Sequence, residues 1–401
     1  MNEKLFLDNK IAKQPWEKTH AVYVHVPFCK QKCLYCDFAS YAGLGAEVME
    51  SYVDALCREI SLRKAEAAAM SEYATVYFGG GTPSLLGIEQ LERIVAALKK
   101  YGFWQSPAEA TIEVNPGTAD LAKLQSLRKM GFDRLSFGVQ SLQDAELCTI
   151  GRIHSAAEAL EAVKMAKEAG FKRISCDLIY GLPGQTLLSL RDTLERLVAT
   201  GIEHVSVYGL IVEEGTPLAK LVESGKLELP DDDTAADMYE LVQKYLKEQG
   251  FTRYEISNYA KNNQYSRHNY VYWQYYPYIA FGAAACGFNG SGRRTATESV
   301  SAYIKGVAEG LGSDGLYNME QLNSAELLSE YMFMNLRKAE GADLVEAKRR
   351  FAIDVYGRYG EALKPFIERG MVNYDSACQR LSLTETGMEL GNLIFEIFVT
   401  D

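Results

Sequence analysis

The sequence predicts an α/β fold in which a curved, partial (β/α)6 barrel precedes a C-terminal, mostly helical, winged-helix-like domain. Strand-like runs alternate with helix-like runs of about 10–15 residues, which is typical of βαβ units and a parallel sheet. Six such units are present, fewer than the eight of a closed barrel. After residue 212 the alternation stops, and from about residue 311 the chain becomes mostly helical and carries a short hairpin.

The barrel strands are predicted from runs rich in β-branched and aromatic residues, and the helices from apolar residues at helical spacing. The predicted strands are 21–26, 73–78, 111–114, 133–139, 173–180 and 204–211. The predicted helices are 47–69, 88–101, 119–130, 156–170 and 188–200. Because ligands of parallel α/β sheets lie at the carboxyl ends of the strands, we expect the chemistry in the loops that follow them.

The rest of the chain follows a different pattern. The predicted elements are a helix at 233–249, a strand at 252–257, a Tyr-, Asn- and Gly-rich loop at 258–295, helices at 324–338, 342–353 and 357–369, a hairpin, and a final helix. The predicted division is an N-terminal arm (1–20), a barrel (21–230), a barrel extension with Tyr-rich loops (231–310) and a C-terminal domain (311–401). The last domain is more acidic than basic, so we expect a lid or docking domain and not a DNA reader.

Composition limits the class of protein. The chain has 401 residues, of which 47% are hydrophobic and 24% charged, as in globular proteins. Lys and Arg number 42 against 53 Asp and Glu, and the net charge of −11 argues against a nucleic-acid partner. No run of 18 apolar residues and no signal-peptide pattern occurs, so we expect a cytoplasmic location.

Three of the eight cysteines form a cluster. Cys29, Cys33 and Cys36 have the spacing CxxxCxxC directly after the first predicted strand. Structural zinc needs four ligands and a second Cys or His pair is missing, while thiol redox catalysis favours a bare CxxC. An iron–sulfur cluster fits better, because three thiolates on one loop can hold a cubane and leave one iron open.

The motif and its position resemble the radical S-adenosylmethionine (SAM) superfamily, which implies a radical SAM barrel. That resemblance implies one [4Fe–4S] cluster on Cys29, Cys33 and Cys36, whose open iron chelates SAM. The longer string YVHVPFCKQKCLYCDF (23–38) is similar to the branch that contains oxygen-independent coproporphyrinogen III oxidase and the HemW-type haem chaperones.

Further motifs follow the later strands in the order that the superfamily has them. They are FGGGTPS (78–84), EVNP (113–116), FGVQS (137–141), GRIHS (151–155) and DLIYGLPG (177–184). Three glycines let the backbone approach a ligand closely, and an Arg fork suits a carboxylate. The SAM contacts that the resemblance implies are Tyr23, Gly80, Gly81, Thr82, Glu113, Gln140, Arg152 and Asp177.

Two functions stay open. The oxidase usually carries a further Cys two positions after the third ligand, where this chain has Phe38, and it has a longer N-terminal extension than the 22 residues that precede Tyr23 here. Both differences favour the chaperone branch, as do the strings YEISN (254–258) and RHNYVYW (267–273). The resemblance therefore implies binding of haem and its transfer to an acceptor protein, with transient membrane association through that acceptor. The alternative is oxidative decarboxylation of coproporphyrinogen III.

Three residues are candidate haem ligands. His268 is the preferred candidate, and its alternative role is that of a hydrogen-bonded structural histidine. Cys286 stands where the branch commonly has a His, and a thiolate can also ligate haem iron. His25 is a third candidate. The Tyr-rich run from Tyr270 to Tyr278 could stack on a macrocycle or pack between domains.

Overall fold

The computed structural model describes residues 15–399, so the first 14 residues of the predicted N-terminal arm and the last two residues lie outside it. The strands are β1 (Thr19–Val26), β2 (Phe28–Cys29), β3 (Tyr41–Ala42), β4 (Met70–Gly80), β5 (Glu109–Val114), β6 (Arg134–Gln140), β7 (Arg173–Tyr180), β8 (His204–Gly209), β9 (Thr252–Arg253), β10 (Asn258–Ala260), β11 (Tyr278–Phe281), β12 (Cys286–Phe288), β13 (Gly292–Ala296), β14 (Tyr317–Gln321), β15 (Ala342–Asp343), β16 (Val372–Asp375) and β17 (Arg380–Leu383).

The α-helices connect these strands and form most of the C-terminal part. They are α1 (Ala46–Leu62), α2 (Ile88–Lys100), α3 (Leu121–Met130), α4 (Asp144–Thr149), α5 (Ala156–Glu168), α6 (Leu187–Ala199), α7 (Pro217–Glu223), α8 (Asp232–Glu248), α9 (Arg267–Trp273), α10 (Val300–Glu309), α11 (Ser324–Leu336), α12 (Leu344–Phe351), α13 (Val355–Glu368), α14 (Glu385–Glu389) and α15 (Gly391–Phe395).

The six predicted barrel strands are neighbours in one large sheet. Its order is β14-β13-β12-β11-β1-β4-β5-β6-β7-β8-β10-β9, and the stretch from β11 to β8 is parallel throughout. Side chains from β4 to β8 reach one shared cavity, so the sheet curves around it. The α/β fold class predicted from strand and helix alternation is therefore confirmed.

Residues 258–295 differ from the prediction, because the segment predicted as a loop contains β10 to β13 and α9. Strand β11 pairs in parallel with β1, with Ile279 opposite Val22. These strands have three to five residues, too short for periodicity to stand out among the Tyr and Gly residues around them. The strand predicted at 252–257 is also interrupted, because the Glu255 carboxylate accepts the Ser257 N–H at 2.8 Å and turns the chain.

Smaller differences concern helix bounds. The helix predicted at 47–69 ends at Leu62, and a 3-10 segment, Lys64–Ala69, follows it. The short helices α4 and α7 were not predicted. Both lie in loops after barrel strands, and their six and seven residues give too weak a periodic signal.

Two hydrophobic cores hold the fold. The larger core fills the space between the sheet and helices α1, α2, α3, α5, α6, α8 and α10, and it includes Leu56, Ile94 and Phe137. The second core joins α11, α12 and α13 to the three-stranded sheet β15-β17-β16, and it includes Met332 and Leu381. This helical part carries a small hairpin, as the sequence predicts. Within residues 15–399, no helix is both long and apolar enough to cross a membrane.

Candidate cofactor site

The three clustered cysteines lie on one loop at the carboxyl edge of β1. Cys29 ends β2, and Cys33 and Cys36 follow in the loop before β3. All three are free thiols and partly exposed. Within residues 15–399, no three Cys, His, Asp or Glu side chains are grouped as a site that could bind a metal ion. The cysteines thus share a loop without forming a preassembled ligand set.

The surroundings of the sulfur atoms nevertheless suit an iron–sulfur cluster. The Arg152 guanidinium donates to Cys33 Sγ at 3.3 Å, and the Thr82 hydroxyl donates to Cys29 Sγ at 3.7 Å. The Ser40 hydroxyl lies 3.9 Å from Cys36 Sγ. Hydrogen bonds to coordinating sulfurs stabilise their negative charge and tune a bound cluster. The donor set therefore fits three thiolate ligands with a polar neighbour at each.

A chain of hydrogen bonds joins two of these sulfurs through the neighbouring strands. Arg152 also donates to Asn115 Oδ1 at 2.8 Å, and Asn115 Nδ2 donates to the Thr82 hydroxyl at 2.7 Å. The path therefore runs from Cys33 through Arg152, Asn115 and Thr82 to Cys29. Arg152 Nε is buried and has no hydrogen-bond partner. This unpaired, buried N–H lies beside the cysteine loop and can donate a hydrogen bond to the carboxylate of a ligand.

The Gly-rich loop packs directly on the cysteine loop. Gly80 has φ +107°, and a Cβ at this position would lie 2.4 Å from His25 Cε1. A Cβ at Gly81 would lie 2.7 Å from the Phe28 carbonyl oxygen. Since neither position has room for a side chain, Gly81 allows the close approach of two backbones and Gly80 that of the His25 ring. Thr82 follows, and its N–H donates to the same Phe28 carbonyl at 2.7 Å.

Glu113 faces the cavity from the end of β5. The Tyr77 hydroxyl donates to its Oε1 at 2.7 Å, and the Gly80 N–H donates to its Oε2 at 3.2 Å. Burial raises the pKa of Glu113 to about 7, against the lowering effect of the Tyr77 hydrogen bond, and the charge of Asp177 adds to the rise. Glu113 is thus poised to gain or lose a proton near neutral pH.

The remaining predicted SAM contacts lie around the same region. Burial raises the pKa of Asp177, and the Ser136 hydroxyl donates to that carboxylate at 3.3 Å. Gln140 ends β6 with φ +67°, a conformation rare for residues other than glycine, and it lines the cavity. Tyr23 stacks beside Tyr77, with ring centroids 6.2 Å apart.

The cavity inside the sheet has a volume of about 430 Å³ and is acidic. Asp37, Glu113, Asp177 and Glu213 line it, whereas Arg134 is the one basic lining side chain in the described part of the chain. Its mouth carries exposed apolar side chains beside the exposed Asp37 and Glu213. Phe38 and Ile211 both line the cavity and are 70% and 69% exposed. Such exposed apolar side chains at an opening indicate a contact surface for a ligand or partner.

Several residues of the site were not predicted from the sequence. Tyr77, Asn115, Arg134, Ser136 and Ser206 all face the cavity or the cysteine loop. The two serines could have been predicted from the sequence, since each is a polar residue in an apolar strand. The alternation of side chains along the strand places each of them on the inner face of the sheet. Asn115 lies two residues after Glu113 and so projects to the same face.

The haem-ligand candidates differ in accessibility. His268 is fully buried, and its ring nitrogens lie 2.8 Å from the Thr75 hydroxyl and 2.8 Å from the Tyr272 hydroxyl. His25 is also buried, and its ring nitrogens contact the Tyr23 hydroxyl and the Ala39 carbonyl. Cys286 is partly exposed. The geometry of His268 is that of the hydrogen-bonded structural histidine that the sequence left open.

Comparison with known proteins first gives the class. Residues 23–197 match the Radical SAM superfamily, and residues 322–390 match the HemN C-terminal domain. The cofactors of this class are a [4Fe–4S] cluster and SAM.

Whole-chain relatives then give the family. The chain is 34% identical to the Heme chaperone HemW of Lactococcus lactis over 385 residues, which is 96% of this chain and 98% of the relative. It is 36% identical to the Heme chaperone HemW of Bacillus subtilis over 386 residues, which is 94% of this chain and 99% of the relative. The protein therefore belongs to the HemW family of radical SAM proteins.

A solved structure supports the fold. Coproporphyrinogen III oxidase (HemN) from Escherichia coli, a radical SAM enzyme, superimposes with a TM-score of 0.81 over 96% of this chain and 91% of that chain. The two sequences are 23% identical, so this likeness concerns the architecture.

Proposed function

We propose that this protein is a haem chaperone of the radical SAM type, which binds haem and transfers it to an acceptor protein. The observation that carries the proposal is the match to heme chaperones along nearly the whole length of both chains. Phe38 agrees with the proposal, since the oxidase branch usually has a further Cys at this position.

We also propose how this chain holds its cofactors. Cys29, Cys33 and Cys36 bind the [4Fe–4S] cluster, and when bound the cluster supplies an open iron for the amino and carboxylate groups of SAM. The residues proposed to position SAM are Tyr23, Gly80, Gly81, Thr82, Glu113, Gln140, Arg152 and Asp177. Arg152 Nε donates to the carboxylate, and ionised Glu113 accepts ribose hydroxyls, as acidic residues do at other nucleotide sites.

The charge of the cavity supports the chaperone over the oxidase. SAM carries a sulfonium and an ammonium group, which the lining carboxylates attract when they are ionised. Coproporphyrinogen III carries four propionates, which the same carboxylates repel, and Arg134 alone cannot balance them. The buried Glu113 and Asp177 therefore suit SAM inside the cavity, and the exposed Phe38 and Ile211 suit an apolar macrocycle face at its mouth. We propose that Phe38 and Ile211 contact that face of haem.

Two finer points belong to the same proposal. The acceptor is a protein of unassigned identity, and we propose that membrane association, where it occurs, is transient and depends on that acceptor. We also propose a cytoplasmic location, which agrees with the eight cysteines being free thiols.

Two anaerobic assays on the reconstituted protein test the proposal. Haem titration should give a saturable Soret change near one haem per chain, and coproporphyrinogen with SAM and reductant should give no protoporphyrinogen at enzymatic rates. Ile211→Asp should weaken haem binding, whereas Leu188→Asp, at an 80% exposed residue outside the cavity, should not. Rapid protoporphyrinogen formation would refute the chaperone and establish the oxidase.

A further inference from the structure

The junction between the barrel and the C-terminal domain contains several buried polar atoms without a partner. Within residues 15–399, five buried side-chain atoms have no hydrogen-bond partner, and one of them is Arg152 Nε. The other four lie at this junction and are named the junction cluster here: Glu255 Oε2, Asn258 Oδ1, Trp273 Nε1 and Arg337 Nε. Because an unpaired buried polar atom is costly and rare in native proteins, their concentration at one place indicates a ligand.

Short contacts join these four side chains. The Asn258 amide donates to Glu255 Oε1. Arg337 Nη2 lies 3.8 Å from Glu255 Oε2, a distance that makes an ion pair but is too long for a hydrogen bond. The Arg337 guanidinium also stacks on the indole of Trp273, with Cζ 4.7 Å from the ring centroid. This cation–π contact holds the two groups together and uses no N–H of either.

Backbone pairing places Arg337 against the barrel. Glu255 and Lys338 form an antiparallel bridge, and the Ala339 N–H donates to the Tyr254 carbonyl at 3.0 Å. Arg337 directly precedes this bridge, at the carboxyl end of α11. Main-chain bonds therefore fix its position, and the C-terminal domain supplies the residue.

The junction cluster adjoins the cavity on two sides. Asn269 lines the cavity, and Trp273 lies four residues later on α9, so both side chains project to the same side of the helix. Tyr208 of β8 also lines the cavity, and the N–H of the residue before it donates to the Ser257 carbonyl at 2.8 Å. That bond holds the turn at Glu255 against β8. A ligand at the cavity mouth therefore lies next to the junction cluster.

The two unpaired donors fit a carboxylate. Arg337 Nε and Trp273 Nε1 each carry an N–H, and the edge of a guanidinium binds a carboxylate through two parallel hydrogen bonds. The neighbouring Lys338 is buried and pairs with Glu340 at 3.0 Å, whereas Glu255 lies too far from the guanidinium to occupy its donors. The charge of Arg337 is thus only partly offset, unlike the interior of the cavity, where carboxylates predominate.

We propose that Arg337 binds one propionate of haem, with Trp273 Nε1 as a second donor, so that the C-terminal domain completes the haem site. This role rests on the proposed haem binding. Haem carries two propionates, which the carboxylates of the cavity repel. Haem that rests its apolar face on Phe38 and Ile211 at the mouth extends a propionate sideways to the junction cluster. Glu255 attracts the outer Nη2 group and leaves Nε to the ligand.

Haem and its dimethyl ester, in which both propionates are methylated, separate this role from a structural one. The cluster-loaded, full-length protein is titrated with each, and the Soret change gives the affinity. Arg337→Gln should weaken haem binding by roughly tenfold, the effect of one lost charge-assisted hydrogen bond, and should leave the affinity for the ester within about twofold of the wild type. The ester should bind the wild type at least roughly tenfold more weakly than haem. Since both changes remove the same contact, the two losses should not add.

Arg358 offers a matched control in the same domain. It lies on α13, is exposed, and stacks on the ring of Tyr359 with Cζ 5.2 Å from the centroid. Arg358→Gln makes the same change of charge and also removes a cation–π contact, but it leaves the junction cluster in place. It should leave the affinities for haem and for the ester unchanged.

Milder variants keep the test valid if Arg337→Gln does not fold. Arg337→Lys keeps the charge but loses the planar fork, and Trp273→Phe keeps an aromatic ring beside the guanidinium but loses Nε1–H. Both should weaken haem binding by roughly threefold to tenfold, with no effect on the ester. Glu255→Gln removes a negative charge 3.8 Å from the guanidinium, so it should act in the opposite direction and strengthen haem binding by about twofold to threefold.

The outcomes are distinct. Without a saturable Soret change in the wild type, the proposed function fails, and the propionate site fails with it. If haem binds, equal losses for haem and ester in Arg337→Gln would show that Arg337 only supports the fold. Unchanged haem affinity in Arg337→Gln, or equal affinities of the wild type for haem and ester, would likewise refute the propionate contact.

Discussion

Arg152 contacts the cysteine loop and has an unpaired buried Nε, so its replacement tests the proposed SAM site most directly. The side chain donates to Cys33, Asn115 and the Gly138 carbonyl, while Nε has no partner. In Arg152→Ala the proposed donor for the SAM carboxylate is lost. A charge-assisted hydrogen bond contributes about 1.5–3 kcal/mol, so SAM affinity should fall by about tenfold to a hundredfold.

Arg152→Lys should recover little of this loss. A lysine keeps the positive charge, but its single ammonium cannot reach Cys33, Asn115 and a ligand carboxylate together as a planar fork does. Because Asn115 also holds Thr82, which donates to Cys29, both variants should in addition release iron faster than the wild type.

The assay is calorimetric titration of SAM into anaerobically reconstituted protein, with affinity compared only at equal iron content. Arg196→Ala is the control, because Arg196 makes comparable contacts, to the Leu142 carbonyl and Asp192, away from the site. Wild-type affinity in Arg152→Ala at full iron loading would refute the reasoning and remove Arg152 from the SAM site.

Other perturbations probe neighbouring features. Replacing all three clustered cysteines by Ala should abolish the broad absorbance near about 400 nm and the roughly four irons per chain; full iron loading in that variant would require another ligand set. Gly80→Ala should destabilise the fold by about 1–3 kcal/mol in urea unfolding, because φ is +107° and His25 occupies the space; an unchanged midpoint would contradict the close packing. Burial alone would raise the pKa of Glu109, but Arg173, Arg134 and two backbone N–H groups lower it to about 2. Its carboxylate therefore contributes stability that is present above about pH 4.5 and lost as pH falls towards 2, of order 3 kcal/mol; Glu109→Gln should flatten this part of the pH–stability curve.

The sequence predicted the barrel well, because its strands have six to eleven residues and alternate with amphipathic helices. It predicted residues 258–295 poorly. Strands such as Cys286–Phe288 are extended because they pair with other strands, and the local amino-acid composition does not indicate those partner strands.

Site residues that stand in a recognisable motif could be predicted from the sequence. Residues that act by positioning another side chain could not. Cys29 and Arg152 stand in recognisable strings, and the structure brings Arg152 to Cys33. Asn115 connects Arg152 to Thr82 only because three separate loops converge. The burial of His268 could not be predicted either, since it depends on Thr75, which lies nearly two hundred residues earlier.

The position of β1 between β4 and β11 has a consequence for biosynthesis. The second edge of β1 can pair only after β11 has been synthesised, because Ile279 of β11 lies opposite Val22. Until then a strand buried along almost its whole length exposes an open, apolar edge, which is prone to aggregation, and contacts between such distant residues form slowly. A chain that ends at residue 230 would leave that edge open permanently. We therefore expect such a truncated chain to aggregate on expression and a chain that extends through β11 to remain soluble.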